Sequence, residues 1–166
     1  GAAVLAAAAP VLRARGHGLL WLPAGPAARL WREAGEYVPA AIDNAAAVAA
    51  IERESPGLLL TGASFLDGFE RALWSDARRL RIPSFAVLDS WSNLEFRFTP
   101  AEGSAEQPDA LGVIDDDTRA QIAAKGWCRA RIFVVGQPHL AARTERLRRR
   151  RRRRPSGSAK RIVFFS

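Results

Sequence analysis

Leu58-Leu59-Leu60-Thr61-Gly62-Ala63-Ser64 is an apolar run that breaks abruptly into small polar residues, and Ile82-Pro83-Ser84-Phe85-Ala86-Val87-Leu88-Asp89 repeats the pattern. Between them, Phe65, Phe69, Leu73, Ala77 and Leu80 recur at three- and four-residue spacing, which predicts an amphipathic helix over 65–81. Strand, helix, strand is the unit of a parallel sheet, because parallel neighbours need a crossover to return the chain to the same edge.

The unit recurs outward from this stretch. Residues 111–114 and 131–135 read as further buried strands, and 18–22 reads as an earlier one, ended by Pro23 and Gly25. Helices are expected over the alanine-rich 2–15, over 27–34 behind Pro26, over 44–53 and over 115–125. The last begins at three aspartates, which suit the positive end of a helix. A further helix starts near Pro138 and dissolves into arginines. The fold class is therefore α/β: a doubly wound, mostly parallel, Rossmann-like sheet flanked by helices. Such a sheet normally opens on a strand, and the helix at 2–15 has none before it, so the first strand is expected to be missing. The chain also contains no methionine, and 161–166 reads as a strand with nothing following. These features lead to three expected parts: a domain over 1–147, a basic flexible linker over 148–160, and the first strand of a truncated C-terminal domain over 161–166.

Composition narrows the class. The 166 residues are 48% hydrophobic and 25% charged, as in ordinary soluble domains, which excludes a disordered, collagen-like or disulfide-built chain. A single cysteine, Cys128, cannot close an internal disulfide, and no apolar run is long enough to span a bilayer. A cytoplasmic location is the expectation. The net charge of +8 is unevenly placed. Residues 143–161 hold eleven basic side chains against Glu145 alone, so the rest of the chain is slightly acidic. The arginines at 148–154 carry no interleaved aromatics, which argues against base stacking and makes nucleic acid an unexpected partner. A solvated linker is the plain reading, and contact with an anionic membrane surface or another polyanion is the alternative.

Open parallel sheets bind ligands beyond the carboxyl ends of their strands, so the residues after each run are the candidates. Thr61, Gly62 and Ser64 put hydroxyls and a close backbone approach near Asp67, although Ser64 and Asp67 also read as ordinary helix-start residues. Asp89, Trp91, Asn93 and Arg97 mix carboxylate, ring, amide and guanidinium in one loop, a combination suited either to a sugar or to a packed flap. Gly136 and His139 follow the last strand. His17 and His139 stand apart from other ligand residues, so a zinc site is not expected. Neither a P-loop nor a dinucleotide fingerprint is present.

Taken in order, 58–64 with Asp67, 82–91, 108–115 and the Arg131-to-Pro138 stretch ending in Gly136-Gln137-Pro138 resemble the N-terminal domain of GT-B-fold glycosyltransferases. The likeness is to lipid-A-disaccharide synthase, the UDP-N-acetylglucosamine 2-epimerases and bacterial polysaccharide-biosynthesis transferases. It covers Gly1 to about Leu147. The resemblance implies a transferase of cell-envelope or polysaccharide biosynthesis that takes a sugar from a nucleotide-sugar donor, UDP-linked, to a sugar or lipid-linked acceptor. It implies no further cofactor. The acceptor would sit on this domain, the donor on a C-terminal domain in cis, and this piece alone would not turn over. By the same likeness Asp67 is the base and Asp89 its substitute, while Thr61, Gly62, Ser64, Trp91, Asn93, Arg97, Gly136 and His139 line the substrate. An epimerase of the same architecture and a non-catalytic polyanion-binding domain are the alternatives.

Overall fold

A computed structural model describes residues 1–36, 38–64, 68–98 and 106–152, with side chains through 149. Four short strands, β1 (Leu59–Thr61), β2 (Ser84–Val87), β3 (Ala110–Val113) and β4 (Arg131–Val134), pair in parallel in the order β1-β2-β3-β4. The register runs Leu60, Phe85, Ala110, Arg131 across the sheet. The α/β class and four of the five strands expected within 1–147 are present, each within a residue of its expected place.

Strand side chains alternate between faces, and one face holds the core. Leu59, Ala86, Leu88, Leu111 and Val113 pack there against Ile51 of α3 (Asn44–Glu54), Leu73, Trp74 and Ala77 of α4 (Phe69–Arg79), and Ile122 of α5 (Asp116–Lys125). Trp74, Phe98 and Trp127 stack in series, with ring centroids 5.5 and 5.3 Å apart. The opposite face carries Leu58, Phe133 and Val135, all more than 40% exposed. The remaining helices, α1 (Ala2–Ala14), α2 (Ala27–Glu33) and α6 (Pro138–Arg152), pack with one another, α1 touching both α2 and α6.

Local chemistry sets the ends. Asp43, rather than Asn44, caps α3 by accepting from the Ala46 N–H at 2.8 Å, and Asp115 caps α5 through Thr118. Both helices end in the left-handed region, at Ser55 and Gly126. The helix expected from Phe65 begins at Phe69 instead. Gly68, at φ +71°, precedes it as its N-cap residue.

Two expectations need correction. Residues 18–22 form no strand, for a strand is held by a neighbour's backbone and nothing among the described residues pairs beside this segment. Trp21 instead packs on Trp31, 4.5 Å between ring centroids, and Pro23 accepts from the Ile42 N–H. Among the described residues the order β1-β2-β3-β4 makes an all-parallel sheet compatible with a Rossmann-like fold. Residues 148–152, expected in a linker, continue α6 as helix; 153–166, including the expected strand, lie outside the described residues.

Candidate functional site

The carboxyl ends of the four strands deliver four loops to one edge, and Asp89 sits at their centre. Its carboxylate accepts from the nitrogen of Gly1 at the start of α1 and, at 3.3 Å, from the Arg97 guanidinium. Its backbone carbonyl accepts from Gln137 Nε2 at 3.3 Å. Arg97 is brought under the loop by a short 3₁₀ turn (Glu95–Arg97) and is only 7% exposed. It also donates to the carbonyls of Ala63, after β1, and of Ser92. Loops from β1, β2 and β4 and the start of α1 thus meet through one ion pair.

The loop after β3 joins from the side. Trp91 Nε1 donates to Asp115 Oδ2 at 2.7 Å, while Asp115 Oδ1 accepts from the Thr118 N–H and hydroxyl. These hydrogen bonds, Thr118's first, hold the Asp115 carboxyl below its ordinary range. Asn93 sits at φ +56° in an exposed turn, a conformation asparagine tolerates better than most residues. Trp91 and Phe96 expose 54% and 66% of their surface, whereas Phe98 of the same loop is buried. The loop is pinned to the body by Phe98 and Arg97 and presents an exposed aromatic face at Trp91.

Other expected residues fall in different settings. The Thr61 hydroxyl is buried, donating to the Gly62 carbonyl at 2.8 Å and accepting from Trp74 Nε1 at 2.9 Å; it ties α4 to β1 and faces no solvent. Gly62 lies so close to Gly1 that a Cβ there would overlap the Gly1 Cα. Ser64 is half-buried nearby. Gly136 turns at φ +74°, and His139 lies half-buried in the first turn of α6. Asp67 falls outside the described residues. Gln137 is not among the expected site residues, yet its amide both bridges to Asp89 and, through Oε1, accepts from the Leu140 N–H at 3.1 Å. The legible signal was a polar side chain placed to cap a helix directly after a strand.

Burial pushes the Asp89 carboxyl up, while the hydrogen bond from the Gly1 nitrogen and the charge of Arg97 act in the opposite sense and leave it, on balance, below its ordinary 3.8. A carboxyl lowered on folding contributes stability that is complete above its unfolded pKa and is lost as pH falls through the folded one. Asp89→Asn is therefore expected to destabilise at pH 7, with the gap from the parent closing as pH falls below about 4. Urea midpoints across pH 2–7 measure this; a gap independent of pH would dissociate the effect from ionisation. Half-buried Cys128 is shifted the other way, burial pushing its thiol up, which keeps it protonated and unreactive at neutral pH.

Next to this cluster lies a cavity of about 1000 Å³ between α1, residues 17–24 and the outer edge of β1. It shares Gly1, Gly62 and Ser64 with the site and is otherwise mainly apolar. Among the described residues, no three His, Cys, Asp or Glu side chains group to hold a metal, and no helix is long and apolar enough to cross a membrane. No protein-family model, curated protein or solved structure matches the chain.

Proposed function

We propose that this chain is the acceptor-side half of a GT-B-type glycosyltransferase. The observation that carries the reading is the convergence on Asp89. Loops from the carboxyl ends of successive parallel strands meet at one ion pair, at the edge where open α/β sheets take ligands. Around it stand groups that suit a sugar: the exposed Trp91 ring for an apolar sugar face, and Asp115, Asn93 and Gln137 for hydroxyls.

In this mechanism the two aspartates divide the work. The Asp89 carboxylate is already engaged by Arg97 and the start of α1 and is held below its ordinary pKa, which makes it a weak proton acceptor and a firm anchor for the loops. Asp67, which follows β1 in the sequence, takes the proton from the acceptor hydroxyl as its oxygen attacks the anomeric carbon. The bond from that carbon to the donor's diphosphate breaks, and the nucleoside diphosphate leaves toward the C-terminal domain. Activation of the attacking hydroxyl is thus the contribution of this half.

The test joins the chain to a C-terminal donor-binding domain and follows UDP release from a UDP-hexose. Release that requires a saccharide or lipid-linked acceptor, with the sugar recovered on it, is the expected result. Interconversion of the UDP-sugar without an acceptor would replace transfer by epimerisation, and neither would refute the enzyme reading.

A further inference from the structure

The cavity beside β1 has the walls of an empty strand position. Leu59 donates its N–H to Pro83 beside β2, so by the alternation of a strand the backbone groups of Leu58 and Leu60 turn to the opposite edge, into the cavity. Nothing among the described residues pairs with that edge. The facing wall is 18–22, a segment that carries the apolar pattern of a strand and forms none. The roof is α1, which turns Leu5, Ala9 and Leu12 inward. A small apolar ligand would fill the volume but leave backbone N–H and C=O groups unpaired on the β1 wall; an extended peptide satisfies them. Direction follows from Gly1, which closes the cavity at the carboxyl edge by packing on Gly62, directly after β1. A segment leading into Gly1 must finish at that edge, and so runs parallel to β1.

We propose that the cavity is the seat of an apolar strand of about five residues, belonging to the same polypeptide and leading directly into Gly1, that pairs with β1 on one side and with 18–22 on the other. With α1 as the crossover, this strand and 18–22 form a right-handed βαβ unit. The sheet then reads 18–22, the inserted strand, β1, β2, β3, β4. Its order reverses between the inserted strand and β1, which places the topological switch point at Gly1 and Gly62, against Asp89. The proposal concerns the sheet and stands whether or not the glycosyl-transfer reading holds.

Hydrogen exchange on the 166-residue chain, compared with the same chain extended before Gly1 by Val-Ile-Val-Leu-Val, tests it. The Leu60 amide and alternate amides of 18–22 are expected to slow by about tenfold or more, as newly bonded strand amides do, and fluorescence of the apolar dye ANS bound in the cavity is expected to fall. A control extension of alternating Lys and Glu should do neither. Unchanged exchange at Leu60 and Leu20 with dye binding retained would overturn the proposal. So would faster Leu60 exchange after deletion of 161–166, which assigns the seat to that apolar segment, or displacement of the dye by palmitate but not by the extension, which makes it a ligand pocket.

Discussion

In a chain joined to a donor-binding domain, Asp67→Asn is expected to lower kcat by about 10²–10⁴-fold, the range contributed by a general base. KM for the nucleotide-sugar should stay nearly constant, since the proposed reading puts the donor on the other domain. The rate should also lose its basic dependence on the ionisation of a carboxylate, because asparagine cannot accept the proton. Asp89→Asn is expected to leave kcat much closer to the parent while lowering thermal stability. The contrast arises because the Asp89 carboxylate is committed to Arg97 and the start of α1. Steady-state kinetics of both variants measure it. Wild-type turnover by Asp67→Asn would remove it as the base, and a larger kcat loss in Asp89→Asn would exchange the two roles.

Arg97→Ala is expected to destabilise the fold by about 3 kcal/mol, at the low end of what is lost when one partner of a buried ion pair is removed. The low end applies because Asp89 retains 27% side-chain exposure and keeps some hydration. For a chain of this length that corresponds to a melting temperature roughly 6–12 °C lower. Arg97 holds three carbonyl or carboxylate partners from the loops after β1 and β2, so Arg97→Lys, with charge but no planar fork, should recover only part of the loss. Differential scanning calorimetry measures both variants. A change of less than about 2 °C in the alanine variant would show that the loops are held by other contacts.

The arginines make a smaller, separable prediction. The excess positive charge lies at 143–161, so retention on heparin should weaken steeply with salt and disappear on truncation after Ala142, through lost counterion release. Retention that survives truncation would move the polyanion contact to the folded body.

What could be read along the chain was local. The runs around Leu60, Phe85, Leu111 and Ile132 are short, apolar and bounded by Gly, Pro or polar residues, and each became a strand because burial of such a run against helices is favourable almost wherever it lands. Asp115 and Gly126 set the ends of α5 for reasons contained within one helical turn. The candidate loop at 89–98 was also legible, because its mixture of rings and charges is unusual whatever surrounds it.

What depended on distant partners was not. Arg97 reads as a substrate-binding loop residue, yet it is buried; the approach of Ala63 and Asp89, far apart in the chain, supplies oxygens that hold a guanidinium away from water. Thr61 reads as a ligand residue, and the arrival of Trp74 turned its hydroxyl inward. Residues 18–22 carry a strand's pattern without becoming one, because hydrophobic pattern selects which face is buried while hydrogen-bonded neighbours decide whether a strand exists. The sequence by itself determined the helices, four strands of a parallel sheet and the edge at which to look. The tertiary structure alone decided which polar groups meet there, since an ion pair between separate loops depends on where the sheet places their ends.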